Sequence, residues 1–172
     1  DKGLDTGPVL AQEKVSIRAD EKCGELTGRL FRKGASLLLT TLDLWKSGDI
    51  DPNPQDDLKA TTTRRLSRED GKIDWQDSST SILRSIRAFH PWPGTFTYMN
   101  GRPLKILDAL AVYEKQTLIL KPGQVHVENE ILVGTGEGNI SLKNVQAEGK
   151  KAVSATEFSL GRRDFEGMLL GI

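Results

Sequence analysis

The sequence predicts an α/β segment joined by a linker to an all-β domain that forms a small barrel. Three observations predict this architecture: a long amphipathic helical pattern within the first 48 residues, a proline- and aspartate-rich stretch after it, and a series of short strand patterns in the second half. Apolar residues that alternate between turn signals favour strands. Five or so short strands favour a partly open, OB-fold-like β-barrel, whose face often binds oligonucleotides or oligosaccharides.

The composition is that of a globular chain, with 37% hydrophobic and 28% charged residues. No apolar run approaches the roughly 20 residues of a membrane helix, so we expect no membrane association. The 24 Lys and Arg balance the 24 Asp and Glu, and residues 63–172 are only mildly basic, with 15 basic and 13 acidic side chains. Total charge therefore gives no argument for a nucleic-acid partner.

Two features bear on the origin of the chain. Cys23 is its one cysteine, which excludes an internal disulfide and fits a reducing compartment. We therefore expect a buried or neutral thiol and a cytoplasmic location. The chain opens on Asp1 with neither an initiator methionine nor an apolar signal segment, which favours truncation over processing as the origin of this start.

The first 48 residues predict one strand and one helix. Pro8 to Ile17 alternates roughly between apolar and polar residues after a turn-like segment, which favours a strand. From Glu21 to Trp45 apolar residues recur at helical spacing, and Gly48 is a stop signal. This amphipathic helix needs an apolar partner, and no segment of comparable size lies upstream of it.

Residues 49–62 predict a linker. The stretch from Asp49 to Asp57 contains two prolines and several turn-forming polar residues, and it lacks apolar periodicity. The alternative is a long surface loop within one domain, although loops of this length are uncommon inside compact domains.

A short helix is predicted after the linker. Ser78 or Ser79 can cap a helix with Ile82 and Ile86 on one face, and the proline-rich run at 91–94 ends it.

Strand patterns fill the remainder of the chain. Asn100-Gly101 is a strong signal for a two-residue hairpin, and residues with strand character lie on both sides of it. Residues 124–136 contain a further turn near Asn129 and Glu130. The predicted strand-like runs are 95–99, 103–113, 117–120, 124–136 and 139–146.

Several residues receive structural interpretations. The glycine-rich run at 133–138 joins two strands and opens no helix, so a hairpin turn is favoured over a phosphate-binding loop. Trp75 and Trp92 fit core or linker packing. His90 and His126, with the single cysteine, lack metal-ligand spacing, so no metal site is predicted.

Four motifs, in order along the chain, resemble folate-dependent formyltransferases. The opening D-K-G-L-D-T-G-P is similar to the family signature D-x-G-L-D-T-G, and S-R-E-D-G-K-I-D-W at 67–75 is similar to the segment after the family's interdomain linker. The runs I-R-A-F-H-P-W-P-G-T-F at 86–96 and A-E-G-K-K-A-V-S-A at 147–155 resemble two further family motifs. The last of these, with the Arg162-Arg163 pair, resembles the methionyl-tRNA branch.

The resemblance implies a division into domains. Residues 1–48 would be the C-terminal end of a Rossmann-like formyltransferase catalytic domain, residues 49–62 the linker, and residues 63–172 a C-terminal tRNA-binding domain with the OB-fold-like barrel. The helix from Glu21 to Trp45 would then lack the sheet on which it normally packs. The family expectation is a monomer.

The resemblance also implies a reaction, in which a formyl group passes from 10-formyltetrahydrofolate to the amino group of methionyl initiator tRNA. Acyl transfer needs donors for the developing oxyanion and a base or proton relay for the attacking amine. The family supplies them with an Asn-x-His pair and an aspartate that positions the imidazole and a water.

Asp5 matches that aspartate, and the resemblance makes it the candidate catalytic residue. Main-chain groups just before it hold the pterin ring in the family, so Asp1, Gly3 and Leu4 are candidate cofactor-binding residues. The alternative for Asp5 is a turn aspartate that caps the T-G-P corner. No Asn-x-His occurs in the sequence, so we expect the chain alone to be inactive.

Basic residues near the family motifs are candidate tRNA contacts, because Lys and Arg neutralise backbone phosphates. Two of them, three residues apart, share a face of the predicted second helix. The alternative is that all are solvated surface charges. The candidate set is Arg64, Arg65, Arg68, Arg84, Arg87, Lys150 and Lys151, with Arg162 and Arg163 in addition.

Two other functions stay open. A formyltransferase that modifies an amino-sugar nucleotide would share the L-D-T-G and P-W-P-G motifs, although the G-K-K run argues against it. An RNA-binding module without catalysis is the second alternative.

Overall fold

The computed structural model describes residues 1–112, 118–162 and 164–172. These residues form two compact units, Asp1–Arg65 and Leu66–Ile172. Three positions that the sequence analysis included in strands or in the basic set, Tyr113, Thr117 and Arg163, lie outside the described residues.

Unit 1 is built on one long helix. Helix α1 spans Cys23–Ser47, and the Glu25 carboxylate accepts a hydrogen bond from the Lys22 N–H at 3.2 Å in a capping box. Gly48 ends the helix in the left-handed conformation, with φ of 78°. The predicted helix and its stop signal are therefore confirmed. A short 3₁₀ turn, Asp57–Lys59, lies in the predicted linker.

The predicted strand from Pro8 to Ile17 is wrong. Within this segment only Val9 forms a β-bridge, to Asn53, with N···O distances of 2.8 and 2.9 Å. A strand requires a paired neighbour, and alternation alone does not supply one. Cys23 is exposed at the start of α1, so the buried alternative for its thiol is wrong.

Helix α1 presents its apolar side chains to the surface of unit 1. Thr41 is its one buried residue, whereas Phe31 is 76% exposed and Trp45 51% exposed. The amphipathic pattern is therefore present without an apolar partner inside this unit. No helix among the described residues is long and apolar enough to cross a membrane.

An ion pair fastens the segment before α1 to the helix. The Arg29 guanidinium donates to both carboxylate oxygens of Glu21, at 2.8 and 2.6 Å, and to the Ser16 carbonyl at 2.8 Å. The Glu21 side chain is only 4% exposed. The hydrogen bond from Arg29 lowers the pKa of the Glu21 carboxyl below its usual value, as expected for a bidentate charged pair.

We expect Glu21→Gln to destabilise the chain at neutral pH and to lose that effect in acid. A lowered pKa in the folded state stabilises above the unfolded-state pKa of about 4.3, and the stabilisation disappears as the pH falls through the folded-state value. Thermal unfolding of both forms, followed by helical circular dichroism across the acid range, measures this difference. Glu148→Gln, at an exposed position, is the control, and a difference that persists in strong acid contradicts the assignment.

Unit 2 is an antiparallel sheet with three helical segments. Its strand order is β1-β2-β5-β4-β3, and β6 pairs with β5 outside that path. Ser78 caps helix α2 by accepting from the Ser81 N–H at 3.2 Å, which confirms the predicted cap. In chain order the elements are a 3₁₀ turn Arg68–Gly71, α2 Ser79–Ala88, β1 Thr95–Met99, β2 Arg102–Ala111, β3 Val125–Val127, β4 Ile131–Gly134, β5 Asn139–Ala147, β6 Val153–Ser154 and α3 Ala155–Leu160.

The hairpin between β1 and β2 is confirmed. Asn100 and Gly101 both have positive φ, 51° and 73°, as a type I′ turn requires. The two-residue turn pairs Phe96 with Lys105 across the strands. The glycine-rich run at 133–138 likewise joins β4 to β5 rather than opening a helix.

The predicted barrel is not confirmed, because the described strands do not close. β1 and β3 stand at the two ends of the strand order, and no pairing joins them among the described residues. The predicted strand at 117–120 is wrong for residues 118–120, which form no strand. Residues 118–120 therefore add no strand to either end of the sheet.

The core of unit 2 lies between the sheet and the helices. Phe165, Leu104 and Val133 are fully buried. Trp75 is a core residue, as predicted, and its indole N–H donates to the Thr97 hydroxyl at 2.9 Å. Trp92 is 62% exposed, so its predicted packing role is wrong.

Residues 165–172, here called the C-terminal segment, cover both ends of the sheet. At the β3 edge, the Val125 N–H donates to Met168 at 2.8 Å and the Gly167 N–H donates to Val125 at 3.0 Å. At the β1 edge, the Gly171 N–H donates to the Tyr98 carbonyl at 2.7 Å. The segment therefore satisfies edge groups that an open sheet leaves exposed.

We expect Phe165→Ala to destabilise unit 2 by about 3–5 kcal/mol, because it leaves a cavity where a fully buried ring anchors the C-terminal segment. Denaturant unfolding monitored by Trp75 fluorescence measures the loss. Leu160→Ala, at a position that is 83% exposed, is the matched control. Equal stability of the two variants would contradict the anchoring role.

Candidate functional site

The candidate catalytic residue lies on a corner of unit 1 that the predicted linker holds in place. Asp5 is exposed and has a φ of 58°, a region that few non-glycine residues adopt. The Gln55 side-chain amide donates to the carbonyls of Asp5 and Gly7, at 2.9 and 2.7 Å. With the bridge between Val9 and Asn53, these bonds hold the backbone from the Asp5 carbonyl to Val9.

The three candidate cofactor-binding residues lie on the same corner. The Asp1 carboxylate accepts from the Lys2 N–H at 2.6 Å and from the Thr6 hydroxyl at 3.3 Å. A Cβ at Gly3 would clash with the Thr6 side chain, which would have to move. Leu4 is 93% exposed. The corner is thus compact, and its outer surface is open.

The candidate basic residues are spread over both units. Arg64 and Arg65 end unit 1. Arg84 and Arg87 lie on α2, the first exposed and the second half-buried. The structure does not bring these four into one cluster within either unit.

One hollow of unit 2 brings together the basic residues near the chain's last helix. The Lys150 hollow has a volume of about 610 Å³ and is lined by Lys150, Lys151, Arg162, Phe158 and other residues. The Arg162 guanidinium lies 4.7 Å from the centre of the Phe158 ring, within range of a cation–π interaction. Glu157 and Asp164 also line this hollow, so it is not uniformly positive.

A second hollow contains the last member of the predicted set. The Arg68 hollow, of about 210 Å³, is lined by Arg68, Phe96, Lys105, Gln146 and neighbouring residues. The Arg68 guanidinium lies 6.0 Å from the centre of the Phe96 ring. Each hollow therefore combines an arginine and an aromatic ring with at least one lysine.

The turn at residues 147–150 contributes to both hollows. Ala147 lines each of them, and the Lys150 N–H closes the turn on the Ala147 carbonyl at 3.1 Å. The Gln146 amide donates to the Lys150 carbonyl at 2.9 Å. The G-K-K motif is therefore the structural link between two neighbouring basic, aromatic surfaces.

Sequence reasoning missed Gln55, Lys105 and Gln146. Gln55 lies in a segment interpreted as a linker, and nothing in its neighbours signals a contact with Asp5. Lys105 could have been found, because a two-residue turn at 100–101 sets the register that places it beside Phe96.

The histidines have structural environments. His90 is exposed in the turn after α2. His126 is half-buried in β3, and its Nδ1 lies 3.2 Å from the Glu166 carboxylate. Within the described residues, no three His, Cys, Asp or Glu side chains come together as they would around a metal ion.

Comparison with known proteins identifies the family. A model of the formyl transferase C-terminal domain matches residues 65–163. The chain belongs to this formyl transferase family. The match begins at the boundary between the units and includes the Arg68 hollow and, apart from Asp164, the residues that line the Lys150 hollow.

Relatives extend the similarity over nearly the whole chain. The methionyl-tRNA formyltransferase of Roseiflexus castenholzii is 40% identical over 168 residues, covering 98% of this chain and 54% of that protein. The methionyl-tRNA formyltransferase of Lachnospira eligens is 40% identical over 176 residues, covering 99% and 56%. The chain thus spans about half the length of these relatives.

The fold is similar to that of a solved structure with low sequence identity. HypX from Aquifex aeolicus, in complex with tetrahydrofolic acid, matches 94% of this chain and 28% of its own, with a TM-score of 0.64 and 20% identity. At that identity, the similarity concerns the fold alone.

Proposed function

We propose that the full-length protein transfers a formyl group from 10-formyltetrahydrofolate to the amino group of methionyl initiator tRNA. The observation that carries this proposal is the 40% identity to methionyl-tRNA formyltransferases over 98% of the chain. Residues 1–48 then belong to the end of the catalytic domain, residues 49–62 to the linker, and residues 63–172 to the tRNA-binding domain. We place the protein in the cytoplasm as a monomer, without membrane association.

Asp5 is the proposed catalytic carboxylate within this chain. Its role would be to orient a histidine and a water that relay the proton lost by the attacking amine. To orient these groups, the Asp5 carboxylate must have a fixed position. The hydrogen bonds from Gln55 to the backbone of this corner support the proposed role of Asp5. The oxyanion donors would come from a part of the protein that precedes this chain.

The formyl donor would contact the open outer surface of the same corner. Asp1, Gly3 and Leu4 are the proposed contacts, mainly through main-chain groups. The exposure of Leu4 and the tight glycine turn leave the backbone accessible. The tetrahydrofolic acid bound by HypX supports a folate-type donor, and the proposal includes no metal.

Unit 2 would hold the tRNA through its basic surfaces. The Lys150 hollow supports this role, because two lysines and an arginine meet there in an open concavity that can follow a phosphate backbone. Arg64, Arg65, Arg84 and Arg87 would add contacts outside the two hollows. In this proposal, the corner around Asp5 contributes to the reaction and the basic surfaces of unit 2 bind the tRNA.

We expect Asp5→Asn in the full-length protein to lower kcat for formyl transfer by about 10²–10⁴-fold, because the amide cannot support the proton relay. Single-turnover assays with saturating 10-formyltetrahydrofolate and methionyl initiator tRNA measure the effect. Asp51→Asn, an exposed residue of the predicted linker, is the matched control. Turnover near that of the unchanged protein would remove Asp5 from the mechanism.

We expect the double substitution Lys150→Glu and Lys151→Glu to weaken tRNA binding and to reduce its salt dependence. Each lost phosphate contact lowers the slope of log K against log salt by about 1. Titrations at several salt concentrations measure the slope, with Lys59→Glu and Lys46→Glu on the surface of unit 1 as the charge-matched control. An unchanged slope would show that this hollow does not contact tRNA.

A competition assay separates this function from transfer to an amino-sugar nucleotide. The full-length protein receives both acceptors with one supply of 10-formyltetrahydrofolate. We expect formylated methionyl-tRNA, whereas transfer to the sugar alone would assign the other substrate. Transfer to neither would reduce the chain to a binding module.

A further inference from the structure

The Arg68 hollow lies on the outer face of the sheet, and strand register builds it. In β1, Thr95 and Thr97 face the core side and Phe96 and Tyr98 face the other side, because side chains alternate along a strand. Phe96 is paired with Lys105, and Lys105 with Gln146. One row across three strands therefore supplies an aromatic ring, an ammonium group and a carboxamide.

Cations cover the aromatic rings of this face. Arg68 lies over Phe96 at 6.0 Å and Lys72 over Tyr98 at 5.6 Å. The two rings contact each other edge to face, with centroids 5.8 Å apart. Aromatic rings interleaved with cations are the composition of surfaces that stack nucleobases and neutralise phosphates.

The size and walls of the hollow select a small flat group. Its volume of about 210 Å³ is below the roughly 300–1,000 Å³ of pockets for drug-sized ligands. Pro93 and Pro103 form apolar walls beside Phe96. A guanidinium group is planar and stacks on flat rings, so the hollow offers a stacking surface together with positive charge.

We propose that the Arg68 hollow binds one unstacked nucleotide of the tRNA, with its base stacked on the Arg68 guanidinium and its phosphate on Lys105. Gln146 contacts the edge of the base, and its hydrogen bond to the Lys150 carbonyl fixes its orientation. This inference rests on the proposed function for the identity of the RNA. It goes beyond that function by assigning recognition of an unpaired base, in addition to backbone charge.

The Lys150 hollow lies next to the Arg68 hollow, so a single RNA strand can contact both. Ala147 lines both hollows and the 147–150 turn lies at their junction. An RNA strand whose phosphates contact Lys150 and Lys151 can continue across this turn to Lys105. Glu148, on the turn, also lines the Arg68 hollow, and its carboxylate disfavours a phosphate at the turn itself.

The test uses the full-length protein and three RNA probes: methionyl initiator tRNA, a single-stranded oligoribonucleotide and a blunt RNA duplex. The variants are Arg68→Lys, which keeps the charge and removes the planar stacking group, and Lys105→Gln. Lys121→Gln, exposed and outside both hollows, is the control. Dissociation constants are measured at one salt concentration, and circular dichroism confirms folding.

We expect Arg68→Lys to weaken binding of the tRNA and of the single strand by about 10-fold, because base stacking contributes at that scale. Duplex binding should change much less, and Lys121→Gln should change none of the three. The proposal is overturned if Arg68→Lys binds all probes like the unchanged protein. It is also overturned if single strand and duplex weaken equally, because that result describes charge alone.

The unchanged protein distinguishes failure of this inference from failure of the proposed function. If it formylates methionyl-tRNA but the Arg68 and Lys105 variants bind RNA normally, only the nucleotide site is wrong. If it binds the single strand through these residues but formylates no tRNA, the site stands and the proposed reaction is wrong. If it binds none of the RNA probes, both proposals are wrong.

Discussion

An antiparallel sheet that does not close has two edges, and the whole of unit 2 depends on how these edges are covered. Unpaired edge groups recruit foreign strands unless something satisfies them. Here one short piece of chain does so at both ends, with hydrogen bonds to Val125 and to Tyr98, while its Phe165 ring completes the core. The strand that carries Phe96 is therefore held on one side by β2. On its other side, the Ile73 N–H donates to the Phe96 carbonyl and the C-terminal segment donates to the Tyr98 carbonyl.

Elements with strong local signals were predictable from sequence. Helix α1, the Ser78 cap of α2 and the Asn100-Gly101 hairpin all depend on residues close together in the chain. The wrong or unconfirmed predictions depend on pairing between segments that are distant in the chain. The segment from Pro8 to Ile17 alternates as a strand should and finds no sheet, and the barrel was inferred from strand number, although closure depends on which edges meet.

In the candidate site, too, contacts between residues distant in the chain were not predictable. Asp5 was identified through the resemblance and not through any local chemical signal, and the structure adds the reason for its fixed position, Gln55, from 50 residues away. Of the basic set, Lys150 and Lys151 line one hollow, and their contact with tRNA stays a prediction. It omitted Lys105 because a lone lysine in a strand acquires significance only from the ring and amide that the register places beside it.

The position of the C-terminal segment also constrains how the protein is made. During synthesis, domains generally fold as units once their residues have emerged from the ribosome. Unit 2 cannot complete its core before Phe165 and Leu170 are available, and until then both sheet edges lack their cover. A ribosome that stalls shortly before these residues would display an unfinished sheet, which chaperones and proteases can recognise.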